Sequence, residues 1–156
     1  MKMDLKLHTK FALNMGNAVY VKCIEEISEL ITCLCDYPMN YDHISEEIAD
    51  VYIAIRRLLV IINNSDDISP YKQSKMTIKY CISTLSRTQK MISKVYLYHR
   101  DDHKVSLFRL LRKTYFVLDY IMNKYNLKQS VFKWLKIKEE KDQNILDNGT
   151  INKYNL

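Results

Sequence analysis

From Ile44 to Ile62, apolar side chains recur three or four residues apart, at Ile44, Ile48, Val51, Tyr52, Ile55, Leu58, Leu59 and Ile62. That spacing matches the α-helical turn of about 3.6 residues, so it predicts one long helix whose apolar stripe other elements must cover. The covering elements are expected to be helices too. Only two Gly and two Pro occur in 156 residues, too few for the turns of an all-β or doubly wound α/β fold. A chain of this length can bury one core, and we expect a single all-α domain over residues 1–147 with a frayed tail over 148–156.

About five helices are expected. The first runs from Asn17 to Cys35, with Val21, Ile24, Ile27, Leu30, Ile31 and Leu34 at helical spacing. It stops before Pro38, and Asp42 is positioned to cap the long second helix. Ser69-Pro70 offers an N-cap followed by Pro at the first helical position, which starts a third helix reaching Tyr98. His99-Arg100-Asp101-Asp102-His103 reads as the turn into a fourth, marked by Val105, Phe108, Leu111, Tyr115, Leu118, Ile121 and Met122. A fifth spans Gln129 to Leu146. The product is an all-α helical bundle.

Cys23, Cys33, Cys35 and Cys81 lack the paired spacing of a zinc site and suit reduced, partly buried thiols. With no basic-apolar signal peptide at the start and no apolar run long enough for a membrane span, the expectation is a cytoplasmic protein without membrane contact. Charge is uneven. Residues 1–60 hold six Lys/Arg against nine Asp/Glu, whereas residues 61–156 hold eighteen against nine. The basic later half can attract phosphates, on a small nucleotide or on a polymer.

Six of the nine early acids fall into two windows, Glu25-Glu26-Ile27-Ser28-Glu29 and Glu46-Glu47-Ile48-Ala49-Asp50. On a helix, residues three apart differ by about 60° around the axis and roughly 4.5 Å along it, so Glu26 with Glu29, and Glu47 with Asp50, form convergent pairs. These carboxylates border the apolar stripes, which directs them towards a neighbouring helix and away from open solvent. Two such helices can pool four carboxylates around divalent metal, and oxygen ligands without nearby His or Cys favour Mg²⁺ or Mn²⁺ over zinc. Glu-rich helix faces are commonly just solvated, which is the competing reading.

The order of these motifs, their separation, and the Val51-Tyr52-Ile53-Ala54-Ile55 run behind the second resemble the MazG-like all-α nucleoside triphosphate pyrophosphohydrolases over residues 17–62. The resemblance implies Mg²⁺-dependent cleavage of a nucleoside triphosphate to the monophosphate and pyrophosphate, by attack of a metal-activated water at the α-phosphorus. It implies metal ligands at Glu26, Glu29, Glu47 and Asp50, with Glu25 and Glu46 in support and Glu25 or Glu26 orienting the water. Lys138 and Lys141 are matched to the basic residues with which the family meets phosphates. The segment between about Ile68 and Tyr125 exceeds the compact family core and reads as an inserted helical hairpin. Homodimers or homotetramers are also implied.

Two further readings stand beside this one. Tyr41, in the connection between the acidic helices, can stack on a nucleobase or pack the loop against the bundle. The whole protein can instead be a non-catalytic helical module that binds nucleotide or nucleic acid through its basic half, which requires steep salt dependence and no role for Glu26 or Asp50.

Overall fold

The computed structural model describes residues 2–63 and 75–149. They form six helices: α1 (Leu5–Met15), α2 (Ala18–Cys35), α3 (Tyr41–Asn63), α4 (Ile78–Tyr98), α5 (Asp101–Lys124) and α6 (Lys128–Asp147). The all-α bundle expected from periodicity is therefore what the chain adopts, with one helix more than the stripes announced.

The addition is α1, whose eleven residues are marginal as an isolated helix. Its boundaries are nevertheless well made. Asp4 accepts a hydrogen bond from the Leu7 amide at 3.1 Å, and the chain leaves the helix through Gly16 at φ 55°, ψ −129°. A side chain at that backbone conformation would be strained, so glycine is needed there. Leu7, Phe11 and Met15 lie one turn apart and bury against the bundle, where α1 packs on α3. Tertiary packing supplies what so short a stripe cannot.

α3 is the central element, in contact with α1, α2, α5 and α6. Ala49, Ile53, Ala54 and Val60 are buried in addition to Ile44, Ile48, Val51, Ile55, Leu58 and Leu59, so α3 is enclosed on more than one side. It begins earlier than expected, because Asn40 Oδ1 accepts from the His43 amide at 3.1 Å. Asp42 thus sits inside the first turn, where its carboxylate receives the Trp134 indole N–H at 3.1 Å and helps dock α6.

The helix start expected at Ser69-Pro70 lies outside the described residues, but Lys75, Met76 and Thr77, which the expected helix would have included, are not helical. Among those described, α4 begins at Ile78 with the Thr77 hydroxyl accepting from the Tyr80 amide. The turn into α5 is shorter than the five residues expected: His99 adopts the left-handed conformation, Arg100 follows, and α5 starts at Asp101. Asp101 and Asp102 then complement the positive end of the helix dipole. α4 and α5 pair as a hairpin, with α4 seated on α2 and α5 on α3. One continuous hydrophobic cluster draws residues from all six helices. No described helix is long and apolar enough to cross a membrane.

Candidate metal centre

The short connection after Cys35 folds α3 back onto α2, and α6 closes against α3. Between these three helices lies a polar cleft of about 350 Å³ lined by both acidic motifs. Glu26 of α2 and Glu47 of α3 are nearly withdrawn from solvent, at 5% and 6% exposure. Asp50 is half-buried beside them. One oxygen from each of Glu26, Glu47 and Asp50 lies within 4.8 Å of the other two.

The remaining expected residues are distributed around this triad. Glu29 lines the cleft from an exposed position at its rim. Glu25 is also exposed there and pairs with Lys22 at 3.1 Å. Lys138 reaches in from α6, with Nζ 2.7 Å from Asp50 and 3.3 Å from Glu46. Lys141 lines the cleft but is exposed. Tyr41 is elsewhere: its ring packs on Tyr125 with centroids 5.3 Å apart, and it does not line the cleft.

Like charges converging under cover from water raise their own proton affinity. Burial foremost, with the Asp50 charge added and Lys22 opposing, pushes Glu26 up to about 7. Burial likewise raises Glu47, reinforced by Asp50 and Glu29. Asp50 is raised by burial despite Lys138. Burial alone would lower Lys138, yet the hydrogen bonds and charges of Asp50 and Glu46 hold it above the ordinary lysine range.

Several residues of the cleft were not singled out by the sequence reading. Lys22 Nζ lies 2.6 Å from Glu26, one helical turn away. Arg57, buried, pairs with Asp142 of α6 and lies over the Phe11 ring at 4.3 Å. Next to this pair, buried His8 meets Glu139 at 3.1 Å, and burial followed by the Arg57 charge lowers its pKa. The Lys22–Glu26 relation is visible as an i,i+4 pair; the α1–α3–α6 network joins residues as far as 131 positions apart and has no local signature.

The structure also corrects a premise. The carboxylates do have His and Cys nearby, for His43 Nε2 lies 3.0 Å from Glu47 Oε1 and His43 Nδ1 lies 3.5 Å from Cys33 Sγ.

The donor set fits a hard divalent cation on one structural ground besides its chemistry. Glu47 Oε2 is buried and has no hydrogen-bond partner among the described residues, so it is an acceptor open to a cation or a water in the cleft. No model of a known protein family matches the chain, and no curated protein or solved structure matches it.

Proposed function

We propose that the protein is a Mg²⁺-dependent nucleoside triphosphate pyrophosphohydrolase whose active site is the cleft between α2, α3 and α6. The observation that carries this reading is the convergence of Glu26, Glu47 and Asp50 within 4.8 Å, two of them almost fully buried. Buried carboxylates of like charge repel and are poorly solvated; Lys22 and Lys138 offset part of this, and a divalent cation would offset more. The resemblance of both acidic motifs to the MazG-like enzymes supports the same reading.

Glu26, Glu47 and Asp50 would hold Mg²⁺, or Mn²⁺, with Glu29 at the rim as a further oxygen donor. When bound, the cation supplies neutralisation of phosphate charge and acidification of water. Lys138 and Lys141 face the same cleft and provide positive charge for the β- and γ-phosphates. Lys138 is held by Asp50 and Glu46 in the absence of substrate; an incoming phosphate competes for the same ammonium group. Glu25, exposed at the mouth, takes the proton of the attacking water. The water oxygen bonds to the α-phosphorus, the bond from that phosphorus to the α,β-bridging oxygen breaks, and pyrophosphate leaves in line. Nucleoside monophosphate remains. We read the assembly as a homodimer or homotetramer, which light scattering of the purified protein tests directly.

The deciding assay measures pyrophosphate release from a panel of canonical and modified nucleoside triphosphates, comparing wild type with Glu47→Gln and Asp50→Asn. Loss of a direct ligand is expected to reduce turnover by at least about 100-fold, with circular dichroism verifying the fold. Folded wild type that releases no pyrophosphate from any nucleotide, with either Mg²⁺ or Mn²⁺, rejects the enzyme. Salt-sensitive nucleic-acid binding unaffected by Glu26→Gln would then favour the binding module.

A further inference from the structure

A second cavity, of about 620 Å³, opens where the start of the chain and of α1 meets α3, α5 and the first turns of α6. It shares no lining residue with the acidic cleft. Its size falls within the roughly 300–1,000 Å³ of sites that enclose small molecules.

The walls are largely aromatic and apolar. Tyr52 of α3 and Tyr115 of α5 both line the cavity and pack on each other with ring centroids 5.2 Å apart. Phe132 of α6 lines it while remaining 44% exposed, so its ring is accessible to a guest. Met3 and Met122 add polarisable thioethers, which pack favourably against aromatic rings.

The charge here is opposite to that of the acidic cleft. Arg56, one helical turn from Tyr52, lines the cavity together with Lys2 and Lys128, against Asp119 as the one acid among the described lining residues. Lys2 and Lys128 are exposed, and neither enters an ion pair among the described residues. α6 also begins at this cavity. Leu127 at its N-cap makes no side-chain capping bond and the first turn holds no acid, so nothing within the helix offsets the positive end of its dipole at Lys128 and Gln129. The Tyr115 hydroxyl is buried without a hydrogen-bond partner among the described residues, which makes it a donor open to a guest or a water. Burial pushes that hydroxyl up to about 12, against the Arg56 charge, so it keeps its proton at neutral pH.

We propose that this cavity binds a small aromatic acid, a flat ring system carrying one anionic group, with the ring against Tyr52, Tyr115 and Phe132 and the anion towards Arg56, Lys128 and the start of α6. A purely apolar guest would leave the cations without use, and a bare inorganic anion would leave the rings without use. The two features supply separable parts of the affinity. The site stands whether or not the acidic cleft hydrolyses nucleotides.

The test titrates the full-length protein with anilinonaphthalene sulfonate, an aromatic anion that fluoresces in apolar surroundings, and with N-phenylnaphthylamine, its uncharged counterpart. The expected result is saturable binding of one sulfonate per chain, at least about tenfold tighter than the uncharged probe, displaced by naphthoate and not by inorganic phosphate. Arg56→Gln weakens the sulfonate at least about tenfold and the uncharged probe less than about twofold. Lys2→Gln combined with Lys128→Gln, at exposed positions that do not threaten folding, weakens the sulfonate about threefold. Phe132→Ala weakens both probes. Circular dichroism and a cooperative melt establish that each protein is folded, because loosened cores also take up this dye. Folded wild type that shows no saturable binding overturns the proposal, including the case in which a second copy of the chain covers the cavity. Equal affinities for the two probes overturn it, as do displacement by inorganic phosphate and a sulfonate affinity unchanged in both the Arg56 and the double-lysine variants.

Discussion

Glu26→Gln is expected to stabilise the metal-free protein at pH 8 and to abolish its stabilisation by Mg²⁺. Burial and the Asp50 charge lift Glu26 from 4.5 to about 7. A shift of that size corresponds to about 3 kcal/mol of stability withheld when the carboxylate is ionised, at about 1.4 kcal/mol per pH unit. The sign follows from proton binding. The folded state keeps the Glu26 proton to a higher pH than the unfolded state does, so this group's penalty is absent below pH 4.5 and grows as pH rises towards 7.

Glutamine mimics the protonated acid and should recover most of the loss. For a chain of this size each kcal/mol moves the melting temperature by about 2–4 °C, so Glu26→Gln in EDTA at pH 8 gains about 6–10 °C. At pH 5 the same substitution gains less than about 1 kcal/mol. Mg²⁺ at a hundredfold excess over its dissociation constant stabilises wild type by about 2.7 kcal/mol and leaves the variant nearly unmoved. Calorimetry of both proteins with EDTA or Mg²⁺, at pH 5 and pH 8, gives all the comparisons. A variant no more stable than wild type at pH 8 in EDTA, or Mg²⁺ shifts equal in the two proteins, would refute the reasoning.

Two other perturbations probe the frame that holds the site. Arg57→Ala breaks the partly buried pair with Asp142 and should cost about 1–3 kcal/mol; a urea midpoint close to that of wild type would show that water readily replaces the guanidinium. Gly16→Ala places a side chain at φ 55°, ψ −129° where nothing within 4 Å would clash, so its cost is backbone strain alone, about 1–3 kcal/mol. An unchanged melting temperature for that variant would mean that the α1–α2 junction relaxes freely.

The sequence by itself determined the helical type of the fold and the two acidic windows. Helical type follows from local spacing, and α2, α3 and α6 emerge close to where their apolar stripes place them. The acidic motifs were legible for the same reason, since residues three or four apart on a helix share a face whatever the rest of the chain does. α1 escaped notice because its few apolar residues gain their force only from packing on α3.

Tertiary structure decided which members of each motif matter. Glu26 and Glu29 lie about 60° apart around α2, and packing against α3 buries the first and leaves the second exposed at the rim. Tyr41 pairs with Tyr125 and turns from the cleft, because the α5–α6 junction lies against the start of α3. Lys138 finds Asp50 across 88 positions, and Cys33 finds His43 across the bend between α2 and α3. Periodicity fixes the face on which a side chain lies; which face of another helix it meets depends on the packing of the whole core.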